Sequence, residues 1–199
     1  MASGKSSIRK HLEKLGAVTV DCDLLGHQTY NQGTTAYKRL IETFGERIVD
    51  ENLNINRRVL GSIVFGKPEE LQKLTDIVWP EIRKLIEIEI KRLYELGNKI
   101  VIVEAAVLLE AHWNSIVNEI WVCFVPPEES IRRAMQRDNA SLEKAKSILE
   151  SQFNNKKRLE FANVAFCSLW EPEYTQKQVE KAWNLLKERT YKDSISAKI

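Results

Sequence analysis

Apolar residues recur along much of the chain at helical spacing. Ile8, Leu12 and Leu15 follow one another at steps of four and three residues, which predicts a helix near the start of the chain. Similar stripes continue through residues 37–96, so this region is expected to be mainly helical. Within it, Pro80 is placed to open a helix, because proline fits the first helical turn.

Short β-branched runs without helical spacing predict the strands. They cover residues 17–20, 100–103, 120–125 and, more weakly, 163–167. Helices are predicted from Pro127 to Arg137 and from a cap at Ser141 to about Arg158. Strands that alternate with helices indicate an α/β fold, with a parallel sheet covered by helices on both faces.

Composition is that of an ordinary globular protein and excludes several classes. The 199 residues include 30 Lys or Arg and 28 Asp or Glu, so the formal charge is only +2. A chain this balanced has no electrostatic footprint for nucleic acid or an anionic membrane. The longest apolar run, Ile120–Val125, is too short to span a bilayer, so no membrane span is predicted.

The termini and the cysteines indicate a compartment. The first residues contain no apolar signal region, which argues against secretion. The 3 cysteines lie far apart without a CxxC pair, which is typical of a reducing environment. We therefore expect an intracellular protein, located in the cytoplasm or the mitochondrion. Only residues 191–199 look like a loose tail.

Gly4-Lys5-Ser6 matches the end of a phosphate-binding loop. In such loops the backbone amides at a helix N-terminus bind phosphates, the lysine reaches the terminal phosphate oxygens and the hydroxyl ligates Mg²⁺. The helix that the motif requires is predicted directly after it. The alternative is a flexible N-terminus with this tripeptide by chance, since the first glycine of the full pattern is absent from the chain.

Asp21 and Asp23 strengthen the nucleotide-binding interpretation. They follow the strand at 17–20, at the sheet edge where ligands of open α/β folds bind. A carboxylate there can accept the proton of an attacking hydroxyl or hold a water on the metal. The alternative for either residue is a turn or a helix cap.

Basic residues on the helix after the strand at 120–125 form a third candidate group. Arg133 and Arg137 are four positions apart and so share a helix face, with Arg132 beside them. They could be a lid whose guanidinium groups stabilise charge on a transferred phosphoryl group. The alternative is a solvated helix face. The 3 histidines have no metal-ligand spacing, so zinc is not expected.

Taken together, these segments resemble the dephospho-CoA kinases. The matching segments follow one another in the family's order and together span residues 2–190 without large gaps. The matching segments are Ala2–Ser7, Val20–His27, Ile55–Ser62, Leu74–Pro80, Ala105–Glu110, Leu169–Pro172 and Thr175–Trp183. Within the family the chain is most similar to the kinase domain of the animal bifunctional CoA synthase, which implies fusion to, or derivation from, a protein with an adenylyltransferase domain.

The resemblance implies a P-loop kinase-like fold and a definite reaction. The γ-phosphoryl group of ATP would be transferred, with Mg²⁺, to the ribose 3′-hydroxyl of dephospho-CoA. Residues 26–96 would form the helical acceptor-binding region and residues 127–158 the lid. The implied ATP-binding residues are Gly4, Lys5, Ser6 and Ser7, with the Ser6 hydroxyl on Mg²⁺, and the implied catalytic residues are Asp23 as general base, Lys5, Arg133 and Arg137.

The chain also departs from the family pattern. His27 and Trp79 stand where bacterial members carry Arg and His, which favours the animal branch. Glu104 replaces the usual Asp, and this leaves its role open. The family's first strand and the two glycines that open its loop are absent, so the strands at 100–103 and 120–125 are expected to lie on either side of an unfilled central strand position.

Three functions are therefore compatible with the sequence. The first is an ATP-dependent dephospho-CoA kinase. The second is a non-catalytic fragment or interaction module, because a chain without the first strand could fail to bind nucleotide. The third is a kinase for another nucleotide-like acceptor. The activity of this chain is left open by the absent strand.

Overall fold

The computed structural model describes residues 1–196, with side chains to residue 192. Two 3₁₀ turns cover Glu46–Ile48 and Trp113–Ile116. The α-helices in this part of the chain are α1 (Lys5–Lys14), α2 (Cys22–Gln28), α3 (Thr35–Phe44), α4 (Arg57–Val64), α5 (Pro68–Glu95), α6 (Pro127–Asp138), α7 (Leu142–Glu150), α8 (Asn155–Leu159) and α9 (Pro172–Ser196).

Four short strands form two separate sheets. They are β1 (Val18–Asp21), β2 (Val101–Glu104), β3 (Trp121–Phe124) and β4 (Val164–Cys167). β1 pairs with β2, and β3 pairs with β4 in parallel register, with Trp121 opposite Val164. The predicted strands and the α/β class are confirmed, whereas the continuous sheet is not formed among the described strands. β2 and β3 belong to different sheets, as expected for strands on either side of an unfilled position.

Side chains from both sheets share one apolar core. Its buried members are Ile8, Leu12, Cys123, Phe166, Val179 and Trp183, from α1, β3, β4 and α9. Ile102 of β2 packs against this cluster, and Trp121 of β3 meets Phe166 edge to face with ring centroids 5.5 Å apart. The predicted apolar face of α1 is thus the face that is buried, which fixes the helix N-terminus over the strands.

The chain divides into two compact units. One contains Met1–Thr19 together with Leu93 and the described residues that follow it, and the other is Val20–Arg92. The second unit consists mainly of helices α2 to α5. Its bounds nearly coincide with those of the predicted acceptor-binding region, 26–96. The segment proposed as the lid, 127–158, lies within the first unit and comprises α6, α7 and most of α8.

Two element boundaries differ from the sequence expectations. Pro80 lies inside α5 and does not open a helix. Its neighbours Ile77 and Ile86 are buried, and burial of that stripe on both sides of the proline outweighs a local cost of about 3 kcal/mol. The helix capped by Ser141 ends at Glu150, and α8 is separate.

The C-terminal segment is helical over most of its described length. α9 continues to Ser196, into the predicted tail, and residues 197–199 of that tail lie outside the described residues. All three cysteines are free thiols. In the described part of the chain no helix is long and apolar enough to cross a membrane.

Candidate active site

The N-terminus of α1 is built for close approach of another group to the backbone. Gly4 precedes the helix with φ +85°, a conformation that side chains with a Cβ rarely adopt. A Cβ at this position would also lie 3.1 Å from the Ser168 hydroxyl. Ile8 N–H donates to the Gly4 carbonyl at 3.0 Å and closes the first turn. The amides of that turn are the groups that bind phosphate in proteins.

The residue before Gly4 is held against the ends of β3 and β4. The Ser3 carbonyl accepts hydrogen bonds from the Cys123 thiol and, at 2.8 Å, from the Ser168 hydroxyl. Burial raises the pKa of the Cys123 thiol, so the sulfur stays protonated and can donate. Cys123 is thus a packed thiol that also makes a hydrogen bond to the loop.

Ser6 and Glu104 meet at the start of α1. The Ser6 hydroxyl donates to Glu104 Oε1 at 2.7 Å, and Arg9 Nε donates to Glu104 Oε2 at 2.6 Å. Glu104 is the last residue of β2, so its carboxylate lies at the end of a strand. The role that the sequence left open for Glu104 therefore includes orienting the hydroxyl of the phosphate-loop motif.

Several cations surround the same helix end. Burial and, to a smaller extent, repulsion from Lys5, Arg158 and Arg137 lower the pKa of the Met1 amino group to about 5, while Glu110 opposes the shift. Lys5 is half-buried, and Ser6 and Ser7 are exposed. A positive potential at a helix N-terminus favours an anionic ligand.

Arg133 and Arg137 differ in their surroundings although both lie on α6. Arg133 donates to Ser168 Oγ at 3.1 Å, to the Ser168 carbonyl at 2.7 Å and to Glu129 Oε1 at 2.6 Å. Hydrogen bonds from Arg132 and Arg133 hold the pKa of Glu129 at about 2. Arg137 is largely exposed and donates to both carboxylate oxygens of Asp138, at 2.7 and 2.8 Å. Arg133 therefore does not belong to a solvated helix face, which was the alternative interpretation.

The two candidate aspartates, at the end of β1 and just after it, belong to the second unit. Asp21 caps α2, since its Oδ1 accepts from Asp23 N at 3.0 Å and Leu24 N at 3.2 Å. Asp23 lies in the first turn of that helix and is exposed. Asp21 is therefore a helix cap, which was the alternative interpretation for both aspartates. Asp23 keeps an exposed carboxylate and stays the candidate base.

Three residues of this site were not predicted from the sequence. Ser168 follows β4 at the carboxyl end of the strand, where ligands of α/β folds bind, and that rule could have found it. Arg158 gave no signal, because a basic run predicts a solvated helix face, and Glu110 gave none, because it is a single acidic residue after an apolar stretch. Within the described residues no group of three or more His, Cys, Asp or Glu is placed to hold a metal.

The fold is α/β, and the start of α1 combines a glycine-led helix N-terminus, the motif Gly4-Lys5-Ser6 and the Ser6–Glu104 hydrogen bond, an arrangement typical of phosphotransferases that bind ATP. The sequence model of the family described as "CoaE: Dephospho-CoA kinase" matches residues 1–167. The chain therefore belongs to the dephospho-CoA kinase family.

Two relatives illustrate the similarity. The dephospho-CoA kinase of Carboxydothermus hydrogenoformans is 35% identical over 179 residues, which are 90% of this chain and 87% of the relative. That of Geobacter sulfurreducens is 34% identical over 183 residues, 92% and 93% of the two chains. The predicted closeness to the animal enzyme stays a prediction.

Solved structures show the same fold. The crystal structure of TT1252 from Thermus thermophilus aligns with a TM-score of 0.76 at 26% identity and covers 95% of this chain and 93% of that one. Dephospho-CoA kinase from Campylobacter jejuni aligns with a TM-score of 0.69 at 24% identity, over 97% and 94% of the two chains. At that identity the second likeness supports the fold alone.

Proposed function

We propose that the chain transfers the γ-phosphoryl group of ATP to the ribose 3′-hydroxyl of dephospho-CoA and so forms CoA. Membership of the dephospho-CoA kinase family supports the reaction. The structural observation that carries the proposal is the hydrogen bond from Ser6 to Glu104 at the glycine-led N-terminus of α1. This bond holds the Ser6 hydroxyl in the first turn of α1, next in sequence to Lys5, which supports the proposal.

The phosphates of ATP are assigned to the start of α1. Gly4 permits close approach, the amides of Lys5, Ser6 and Ser7 donate to phosphate oxygens, and the Lys5 ammonium neutralises the terminal phosphates. The transfer then needs little covalent help from the protein, since positioning and charge stabilisation supply most of the catalysis.

The donor set beside Lys5 fits a magnesium ion. Ser6 Oγ and the Glu104 carboxylate are hard oxygen donors that already lie 2.7 Å apart. Ser6 would hold the ion, and Glu104 would orient Ser6 and the ion's waters. When bound with ATP, Mg²⁺ supplies neutralisation of the charge on the β- and γ-phosphate oxygens.

We assign proton acceptance to Asp23. Its carboxylate is exposed in the first turn of α2, whereas that of Asp21 is used as the cap. An ionised carboxylate within hydrogen-bond reach of the ribose hydroxyl can accept its proton as the bond to phosphorus forms. Residues 26–96 are proposed to bind the acceptor, and the segment 127–158 to act as the lid.

An acceptor panel tests the proposed function. The chain is incubated with ATP and Mg²⁺, and with dephospho-CoA, AMP, pantothenate or adenosine, and ADP release is measured. Phosphorylation of dephospho-CoA well above the other three is expected. Preference for another acceptor, or no turnover with any of them, would contradict the proposal. Fusion to an adenylyltransferase domain and a mitochondrial location both stay predictions.

A further inference from the structure

Arg158 carries a buried polar group that the proposed mechanism does not use. Its Nε–H has no hydrogen-bond partner within the described part of the chain. Buried donors are nearly always paired in folded proteins, because leaving one unpaired costs the full desolvation of the group. An exception beside a ligand site suggests a donor whose partner is the ligand.

The position of Arg158 is fixed by the strand beside it. Asn155, at the start of α8, donates from Nδ2 to the carbonyl of Val125 at 2.7 Å. The same Asn155 side chain accepts from an Arg158 terminal nitrogen at 2.5 Å. The guanidinium is therefore held at the end of β3 by one of its terminal nitrogens while Nε stays unpaired.

Hydrogen bonds along β3 connect Arg158 with the phosphate-loop motif. Val125, whose carbonyl accepts from Asn155, lies two residues after Cys123, whose thiol donates to the Ser3 carbonyl next to Gly4. The charges of Arg158 and Lys5 both lower the pKa of the Met1 amino group, and both oppose the rise that burial causes in the pKa of the Cys123 thiol. Burial also lowers the pKa of Arg158 itself, and Glu110 opposes that shift. Glu110 accepts a hydrogen bond from Phe153 N at 2.7 Å. Cations are thus gathered around the loop before any phosphate is bound.

A second arginine of the same unit uses its donors differently. Arg133 makes three hydrogen bonds, to Glu129 and to both Ser168 oxygens, and so uses most of its fork within the protein. Arg158 makes one such bond and keeps a buried donor unpaired. Stabilisation of the fold alone does not account for that arrangement.

We infer that Arg158 is a ligand of the ATP polyphosphate, whose Nε–H donates to an oxygen of the β- or γ-phosphate. This inference rests on the proposed function. Guanidinium groups suit the role because their donors match the geometry of phosphate oxygens and stay charged when partly buried. α8 would then supply one phosphate ligand and α1 the others.

The test compares Arg158→Met with Lys157→Met in the full chain. Methionine keeps much of the apolar stem and removes the donors, and Lys157 is the matched control on α8, exposed and paired with Glu160 at 3.0 Å. Binding of inorganic tripolyphosphate is measured by calorimetry, and thermal unfolding is followed with and without it. Arg158→Met is expected to weaken binding ~10–100-fold and to leave the ligand-free midpoint unchanged or raised. Lys157→Met should bind like the wild type.

Two results would overturn the inference. One is wild-type affinity for tripolyphosphate in Arg158→Met. The other is a lowered ligand-free midpoint or an unfolded Arg158→Met chain, because either shows that the fold itself needs the guanidinium. Turnover of dephospho-CoA by the wild type is measured in the same preparation. A wild type that binds tripolyphosphate through Arg158 yet does not phosphorylate dephospho-CoA would remove the proposed function and leave the inference standing.

Discussion

Carboxylates with similar sequence signals have different chemical roles in this protein. Asp21 and Asp23 are two positions apart, yet the first accepts two backbone N–H bonds and the second is exposed at the start of α2. Glu104, at the end of β2, accepts from Ser6 and Arg9 together. The hydrogen bonds that a carboxylate already makes therefore decide whether it can take a proton from a substrate or only orient a neighbour.

Replacement of Asp23 tests its assignment as the base. Asp23→Asn is expected to lower turnover of dephospho-CoA ~10²–10⁴-fold, because the amide cannot accept the ribose proton. The affinity for ATP should be nearly unchanged. Steady-state kinetics with calorimetric ATP binding measure both quantities.

Asp21→Asn is the matched control for that change. Asparagine removes the same charge and remains a good helix cap, so this variant should lose much less turnover. Wild-type turnover in Asp23→Asn, or equal losses in the two variants, would show that Asp23 is not the base.

Replacement of Glu104 tests the link between Ser6 and magnesium. Glu104→Gln should weaken the affinity for the divalent ion ~10–100-fold, the usual loss when a residue that orients a metal ligand is changed. Mn²⁺ titration in the presence of ADP, followed by electron paramagnetic resonance, measures that affinity without turnover. Glu13→Gln is the control, since Glu13 bonds Arg9 but makes no hydrogen bond to the Ser6 hydroxyl within the described residues. Equal affinities in the wild type and Glu104→Gln would remove Glu104 from the metal site.

Among the elements, α6 of the segment proposed as the lid is connected by hydrogen bonds to the backbone before α1. α6 begins at Pro127, which suits a first helical turn, and carries Arg133 and Arg137 one turn apart. Arg133 donates to Ser168, and Ser168 donates to the Ser3 carbonyl next to Gly4. Motion of α6 is thereby coupled by hydrogen bonds to the backbone that is proposed to bind phosphate.

Alanine substitutions on α6 distinguish an effect of its arginines on phosphoryl transfer from an effect on ATP binding. Arg133→Ala and Arg137→Ala should each reduce turnover more than they weaken acceptor binding, because their charge matters most as the phosphoryl group transfers. Arg133→Ala should in addition raise the KM for ATP, as should Ser168→Ala, and the double variant should lose less than the sum. Single-turnover rates at saturating ATP and the KM for ATP measure the two effects. Arg132→Ala is the control, since Arg132 is exposed and bonds its own helix. Unchanged kinetics in both lid variants would favour a solvated face.

At the scale of the whole chain, the core joins two sheets that share no hydrogen bonds among the described strands. Each strand has a single partner, so β2 and β3 both retain an edge of unpaired backbone groups. Two-stranded sheets are marginal in water, and stability then depends on the apolar cluster under α1 and α9. A strand placed between β2 and β3 would pair both edges and bury about five more side chains, each worth roughly 1.5–3 kcal/mol.

An added strand should therefore stabilise the protein. We expect a variant with about ten residues joined ahead of Met1, an apolar strand that ends in Gly-Gly, to melt more cooperatively and at a higher temperature. Mg-ATP should raise its midpoint more than that of the 199-residue chain. Calorimetric melts of both chains, with and without Mg-ATP, measure this. A polar extension of the same length is the control. Equal melting temperatures of the two extended chains would contradict the prediction that an added strand pairs the edges of β2 and β3.

Local sequence determined most elements of this protein, because helix and strand depend on the spacing of nearby apolar residues. The stripe of α1, the strands β1 to β4 and the cap at Ser141 were predicted, as was the motif Gly4-Lys5-Ser6, since its residues are adjacent. Pro80 was placed at a helix start because its tolerance inside α5 depends on burial of its neighbours, which only packing supplies.

Only the tertiary structure decided which side chains complete the site. Ser6 and Glu104 are 98 positions apart, and Ser168 is 165 positions from the Ser3 carbonyl that it holds. Arg158 looks in sequence like its exposed neighbour Lys157, and only the folded chain buries its Nε–H, near the end of β3. Hydrogen bonds and desolvation are set by distances in space, so a pattern along the chain indicates the elements but not the partners that the fold brings to them.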